Sequence, residues 1–165
     1  MIDKYFAKPL LWDYSISSLI TLLFFVLFYK NILSIPKETY YLSTTSDLST
    51  VSLTSSGFIL TLLTVLITFK SGTDSSNESI KNSKSTFEYF FSSSLYFETI
   101  KHLKNCIKSL ILVSIIGFSL KMGLTNNTRF FLYFYNIFGL IIIVLTLWRC
   151  LLILTKILEM QKRDS

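Results

Sequence analysis

The sequence predicts an all-α protein: a four-helix transmembrane bundle whose third and fourth helices extend into the cytoplasm as an antiparallel hairpin. Three observations predict it. The 165 residues are 51% hydrophobic, and the apolar ones fall in four long blocks, the pattern of membrane spans. Basic residues are shared unequally between the segments that join those blocks. Small and polar residues inside the blocks recur in alternating steps of three and four, a helical period.

The first block, Tyr14 to Tyr29, reads "YSISSLITLLFFVLFY". Lys4 and Lys8 precede it as they would a signal peptide, but "KNILSIPKE" follows with no small-x-small cleavage pattern. A retained span over 14–34 is therefore expected. Asn31 to Ser49 reads as a connection, with Pro36, Tyr40 and Tyr41 suited to a membrane interface.

The second span, 50–70, holds the most ordered signal in the chain. Thr54, Gly57, Thr61, Thr64 and Thr68 share one helical face. Such a stripe of small residues suits close, left-handed packing of one helix on another, against the fourth span or a symmetry copy. It equally suits the wall of a water-filled path in an oligomer. Threonine hydroxyls can bond their own i−4 carbonyls, so lipid surroundings are tolerated too.

Residues 71–94 form a cytoplasmic connection. It opens Ser-rich and polar, as a flexible linker. "STFE" at Ser85 to Glu88 then has capping-box spacing, so a short amphipathic helix carrying Phe87, Phe90 and Phe91 is expected. Those rings should lie on the membrane or pack against other helices.

The third span, 105–124, is preceded by a helical extension over 95–104. The fourth, 129–150, continues over 151–161. "TNNT" at Thr125 to Thr128 is a short turn, so these two helices should be antiparallel. Asn136, Gly139, Ile143, Thr146 and Cys150 repeat the small-residue spacing in the fourth span. The extensions bring Leu103 opposite Leu154 and Leu158, with Lys101 and Lys104 beside them. This stalk is the expected docking surface for a cytosolic partner.

With four spans, eleven basic residues fall on the side of the termini: Lys4, Lys8, Lys70, Lys81, Lys84, Lys101, Lys104, Lys108, Lys156, Lys162 and Arg163. Only Lys30, Lys37, Lys121 and Arg129 fall on the other. The positive-inside rule then predicts both termini in the cytoplasm. The net charge of +6 is a topology signal. With three arginines in the chain, direct nucleic-acid binding is not expected. Lys108, Lys121 and Arg149 are expected at the membrane interfaces, the lysines snorkelling in opposite directions and Arg149 anchoring beside Trp148.

Enzymatic chemistry is not expected. His102 is the one histidine, flanked by lysines, and no carboxylate pair, zinc spacing, P-loop or dinucleotide motif occurs. Neither a cofactor nor a metal is expected. Cys106 and Cys150 are too few for a disulfide framework and read as small packing residues. Proton-coupled transport is disfavoured because Asp13, Asp47 and Glu159 all lie at or beyond span ends.

Three readings follow. One is a non-enzymatic, homo-oligomeric subunit that senses or anchors at the membrane with a cytosolic effector. The others are a channel or permeabilising effector lined by the second span, and a small-solute transporter. The four spans, the hydroxyl-rich "SDLSTVSLTSSG" and the long terminal hairpin together resemble the small four-span membrane subunits of bacterial anti-phage defence systems of the Kiwa type. That resemblance implies a homo-oligomer that senses disturbance of the inner membrane and recruits or restrains a cytosolic effector. It carries no motif, and so assigns no functional residue.

Overall fold

The computed structural model describes residues 8–76, 90–91, 93–125 and 128–162. Among them are four long helices: α1 (Pro9–Tyr29), α2 (Glu38–Ser76), α3 (Ser94–Gly123) and α4 (Phe131–Lys162). Each is long and apolar enough to cross a bilayer. The chain is an all-α, multi-pass membrane protein. Its many exposed large apolar side chains, such as Leu19, Leu22, Phe58, Ile115, Leu140 and Val144, would be anomalous in water. In a bilayer they are the lipid-facing surface.

α1 starts and stops earlier than the expected span 14–34. Pro9 takes the start of the helix, where its missing N–H costs nothing. The end is a Schellman motif. Asn31 adopts a left-handed φ of 56°. Its N–H donates to the Phe28 carbonyl at 2.9 Å and that of Ile32 to Leu27 at 3.1 Å. Residues 30–34, expected in the span, are therefore outside the helix.

α2 is far longer than the expected 50–70. It has 39 residues, about 58 Å at the standard rise and roughly twice a hydrocarbon core. The stretch 38–49, read from sequence as connection, is helical, as is 71–76. Glu38 in the first turn complements the helix dipole, and no Gly or Pro occurs between it and Gly57. The hydroxyls here do not compete with the helix but join it. Thr44 donates to the Tyr40 carbonyl at 2.8 Å and Thr45 to Tyr41 at 2.7 Å. The expected linker and capping box over 77–89, with Phe87, lie outside the described residues.

Between α3 and α4, the Thr128 N–H donates to the Thr125 carbonyl at 2.9 Å. The Leu124 carbonyl also accepts from Arg129 Nε at 3.4 Å.

The chain divides into two compact units, Met1–Ser55 with Ser109–Thr146 and Ser56–Lys108 with Leu147–Ser165. In the first, contacts fix how the helices run. α2 and α4 are parallel and in register: Glu38 meets Arg129, Thr45 meets Asn136, each pair 91 residues apart, and Leu48 fills the notch at Gly139. α3 is antiparallel to both. Ser46 meets Lys121, while Ser52, further along α2, meets Leu110, earlier in α3. Tyr135 donates to the Val113 carbonyl. α1 joins through Phe25 and Phe28, whose rings lie edge-on to Phe134 at 5.3 and 5.8 Å.

The core of the second unit contains Ile59, Leu63, Leu66, Phe90, Phe91, Tyr96, Leu103, Cys106, Cys150, Ile153 and Ile157. Phe90 and Phe91 pack on Tyr96 with ring centroids 6.1 and 5.6 Å away. Lys70 lies over Tyr96 at 4.7 Å and over Phe97 at 4.4 Å, a cation–π contact with two rings.

Candidate functional site

Two stripes run along α2, and the one picked out by sequence is the outer one. Thr54, Gly57, Thr61, Thr64 and Thr68 are all exposed. Each threonine donates to its own helix: Thr54 to the Thr50 carbonyl at 2.9 Å, Thr61 to Gly57 at 3.1 Å, Thr64 to Leu60 and Thr68 to Thr64 at 3.0 Å. A methyl group added at Gly57 would meet nothing within 4 Å. The expected packing of this stripe against the fourth span of the same chain is not made. A hydroxyl bonded to its own backbone has no unmet need and leaves its methyl group to lipid.

The buried stripe is Thr45, Ser49, Ser52 and Ser56, continued by Ile59, Leu63 and Leu66. It has the same alternating steps, rotated about the helix. In the first unit its hydroxyls reach other helices. Thr45 Oγ1 lies 2.9 Å from Asn136 Oδ1, and Asn136 Nδ2 donates to the Tyr41 carbonyl at 2.9 Å. Ser52 donates to the Leu110 carbonyl at 2.7 Å. Ser49 is fully buried and its Oγ meets no hydrogen-bond partner among the described residues. It faces Gly117, at the point where a Cβ would stand, with the Tyr135 hydroxyl 3.1 Å from that same point.

The fourth-span stripe is buried throughout: Asn136, Gly139, Ile143, Thr146 and Cys150. Gly139 is a second point of close packing in the first unit, after Gly117: a Cβ placed on it would stand 2.6 Å from Leu48 Cδ2.

α1 adds a group that sequence placed at a span end. Asp13 is only 1% exposed. Starting the helix at Pro9 carries Asp13 into it, and the phase turns it inward together with buried Ser17, which donates to the Asp13 carbonyl at 2.7 Å. Tyr14 donates to Ser109 Oγ at 3.4 Å.

The charged residues expected at the interfaces separate. Lys108 is exposed. Lys121 is part-buried and donates to Ser46 Oγ. Arg149 is not an interfacial anchor: it is 0% exposed, whereas its neighbour Trp148 is 60% exposed. One residue of helix is about 100° of rotation, so only one of the two can face lipid. Arg149 Nε donates to Cys106 Sγ at 3.4 Å. Burying an arginine in a membrane span is costly. His102 is half-buried.

No family model, curated protein or solved structure matches this chain. Its chemistry is therefore read from the residues themselves. Among the described residues no group of three or more His, Cys, Asp or Glu could hold a metal.

The expected docking surface is only partly available. Lys101 and Lys104 are exposed and Leu154 is half-buried. Leu103 is fully buried in the core of the second unit and cannot serve as a contact. The Leu158 side chain lies outside the described residues. Leu95, Phe97, Leu151 and Leu152 are exposed near these positions in sequence, and hydrophobic periodicity alone did not separate them from Leu103.

Proposed function

We propose that the chain is a non-enzymatic membrane subunit that assembles with copies of itself and presents α3 and α4 to a cytosolic partner. One observation carries the self-assembly: the face Gly57, Thr61, Thr64 and Thr68 has the small-residue pattern of a close helix contact, yet it is exposed, with open space at Gly57. Small residues that let backbones approach are the means by which helices associate in lipid, where apolar burial gives no drive. Each hydroxyl proton on this face is committed to its own backbone. The exposed Lys101 and Lys104 supply the charge for an acidic partner. Resemblance to anti-phage membrane subunits makes membrane surveillance with a cytosolic effector the biological setting of this proposal, at a bacterial inner membrane with both termini inside.

The test is the mass of the complex in detergent or nanodiscs. The wild-type chain should run as a defined multimer, and Gly57→Leu with Thr61→Leu should run as a monomer that keeps its helical content. A wild-type monomer, or a multimer indifferent to both substitutions, overturns the proposal. Ion flux through wild-type multimers that Thr61→Val and Thr64→Val change would turn the same face into a pore.

A further inference from the structure

We propose that the buried hydroxyls of the first unit form a water-bridged proton path through a single protomer, between Lys121 and Asp13. Sequence disfavours proton movement because no carboxylate sits within a span. The structure adds a buried carboxylate near one end of α1, Asp13.

The path can be followed by level. Lys121 Nζ donates to Ser46 Oγ at one end. One turn along α2 stands Ser49, facing Gly117 and near the Tyr135 hydroxyl. Nearly one turn further is Ser52, which donates to the Leu110 carbonyl. The adjacent residue, Ser109, accepts from Tyr14 of α1. Ser52 and Tyr14 thus reach α3 at neighbouring residues, and Tyr14 is followed by the α1 turn that holds buried Asp13 and Ser17. From Ser109 to Lys121 the seam covers about 18 Å of α3, more than half a hydrocarbon core of roughly 30 Å.

Hydroxyls a turn apart are separated by about 5 Å, too far for direct transfer. Water must bridge them, and a buried water needs two to four polar partners. Ser49 is the place where such a partner is offered. It is 0% exposed, and its hydroxyl is unpaired among the described residues. A buried unpaired hydroxyl is costly in a packed membrane bundle unless it serves something. The Tyr135 hydroxyl supplies a second oxygen: its proton goes to Val113, and a backbone hydrogen bond from Gly117 takes one lone pair and leaves the other. Each oxygen along the path accepts one proton and releases another. O–H bonds form and break along it, and at Lys121 an N–H bond does so, and charge moves with no net reaction. The path lies inside one copy of the chain and does not depend on self-assembly.

The full-length chain would be reconstituted in phospholipid vesicles loaded with a pH-sensitive dye. A potassium gradient with valinomycin would then set the potential. Proton entry should exceed that of protein-free vesicles. Ser49→Ala and Asp13→Asn should each return it to the protein-free level, and Thr61→Val on the outer face should leave it intact. Ser49→Ala removes an unpaired hydroxyl, so its thermal midpoint should hold or rise, and loss of flux in that variant is not loss of fold. Wild-type entry no faster than in empty vesicles overturns the path. So does entry that survives both inner substitutions, or entry lost in Thr61→Val and kept in Ser49→Ala.

Discussion

Gly57, Gly117 and Gly139 are all helical, yet a methyl group at each would meet different surroundings. At Gly57 it meets open space; at Gly139 it comes 2.6 Å from Leu48 Cδ2 and 3.3 Å from Val113 Cγ1. At Gly117 it runs into Ser49 Oγ and stands 3.1 Å from the Tyr135 hydroxyl. The Leu48 tip can rotate away, whereas Ser49 is short and buried. We expect Gly139→Ala to cost about 1–2 kcal/mol and Gly117→Ala about 2–3 kcal/mol. Gly57→Ala should be neutral or slightly stabilising, since alanine is the better helix former. Thermal midpoints by circular dichroism in one detergent check the order, and equal shifts at all three would contradict it. Arg149 shows what single residues conceal. Trp148 beside it suggested an interface, but Asn136, Gly139, Ile143 and Thr146 already defined the inward face, and Arg149 is the next step along it.

At the scale of the helix, α4 was legible and α2 was not, for a physical reason. In α4 the small and polar stripe is also the buried one, because the rest of the span is bulky and apolar. In α2, hydroxyls occupy both faces at the same spacing. Periodicity reports that faces exist; it does not report which faces inward when the hydroxyls of one are satisfied within the helix. Partners decide it. Thr45 and Asn136 meet across α2 and α4, and only the inner stripe finds Gly117 and Gly139 opposite. Asn136→Leu removes the bonds to Thr45 and to the Tyr41 carbonyl. In lipid such a loss should cost about 1 kcal/mol, because the unfolded helices find other partners. Chemical unfolding in mixed micelles measures it. A cost several times larger would mean that Asn136 holds more than this pair. The Glu38 to Arg129 ion pair, at 2.6 Å but partly exposed, is worth at most about 1 kcal/mol.

At the scale of the whole molecule, four apolar blocks were enough to read four helices, since each block is long and uninterrupted by proline. Helix ends were less legible. Asn31 stops α1 by taking a left-handed turn, and α2 starts early because its first hydroxyls back-bond. Neither is visible as hydropathy. Of the residues proposed for partner docking, Lys101 and Lys104 are exposed and Leu103 is core. Charge reversal at Lys101 and Lys104 should abolish co-purification of a cytosolic partner and leave the chain in the membrane fraction. Retained co-purification would remove these lysines from the interface.

The 91-residue register between α2 and α4 also sets an order of events during synthesis. α2 enters the bilayer long before Asn136, its partner across the helix pair, has been translated. α3 follows first and supplies Leu110 to Ser52. Until α4 arrives, Thr45 can rely on its own Tyr41 carbonyl. The back-bonded hydroxyls therefore let α2 wait in lipid as a stable single helix, and insertion need not be simultaneous with assembly.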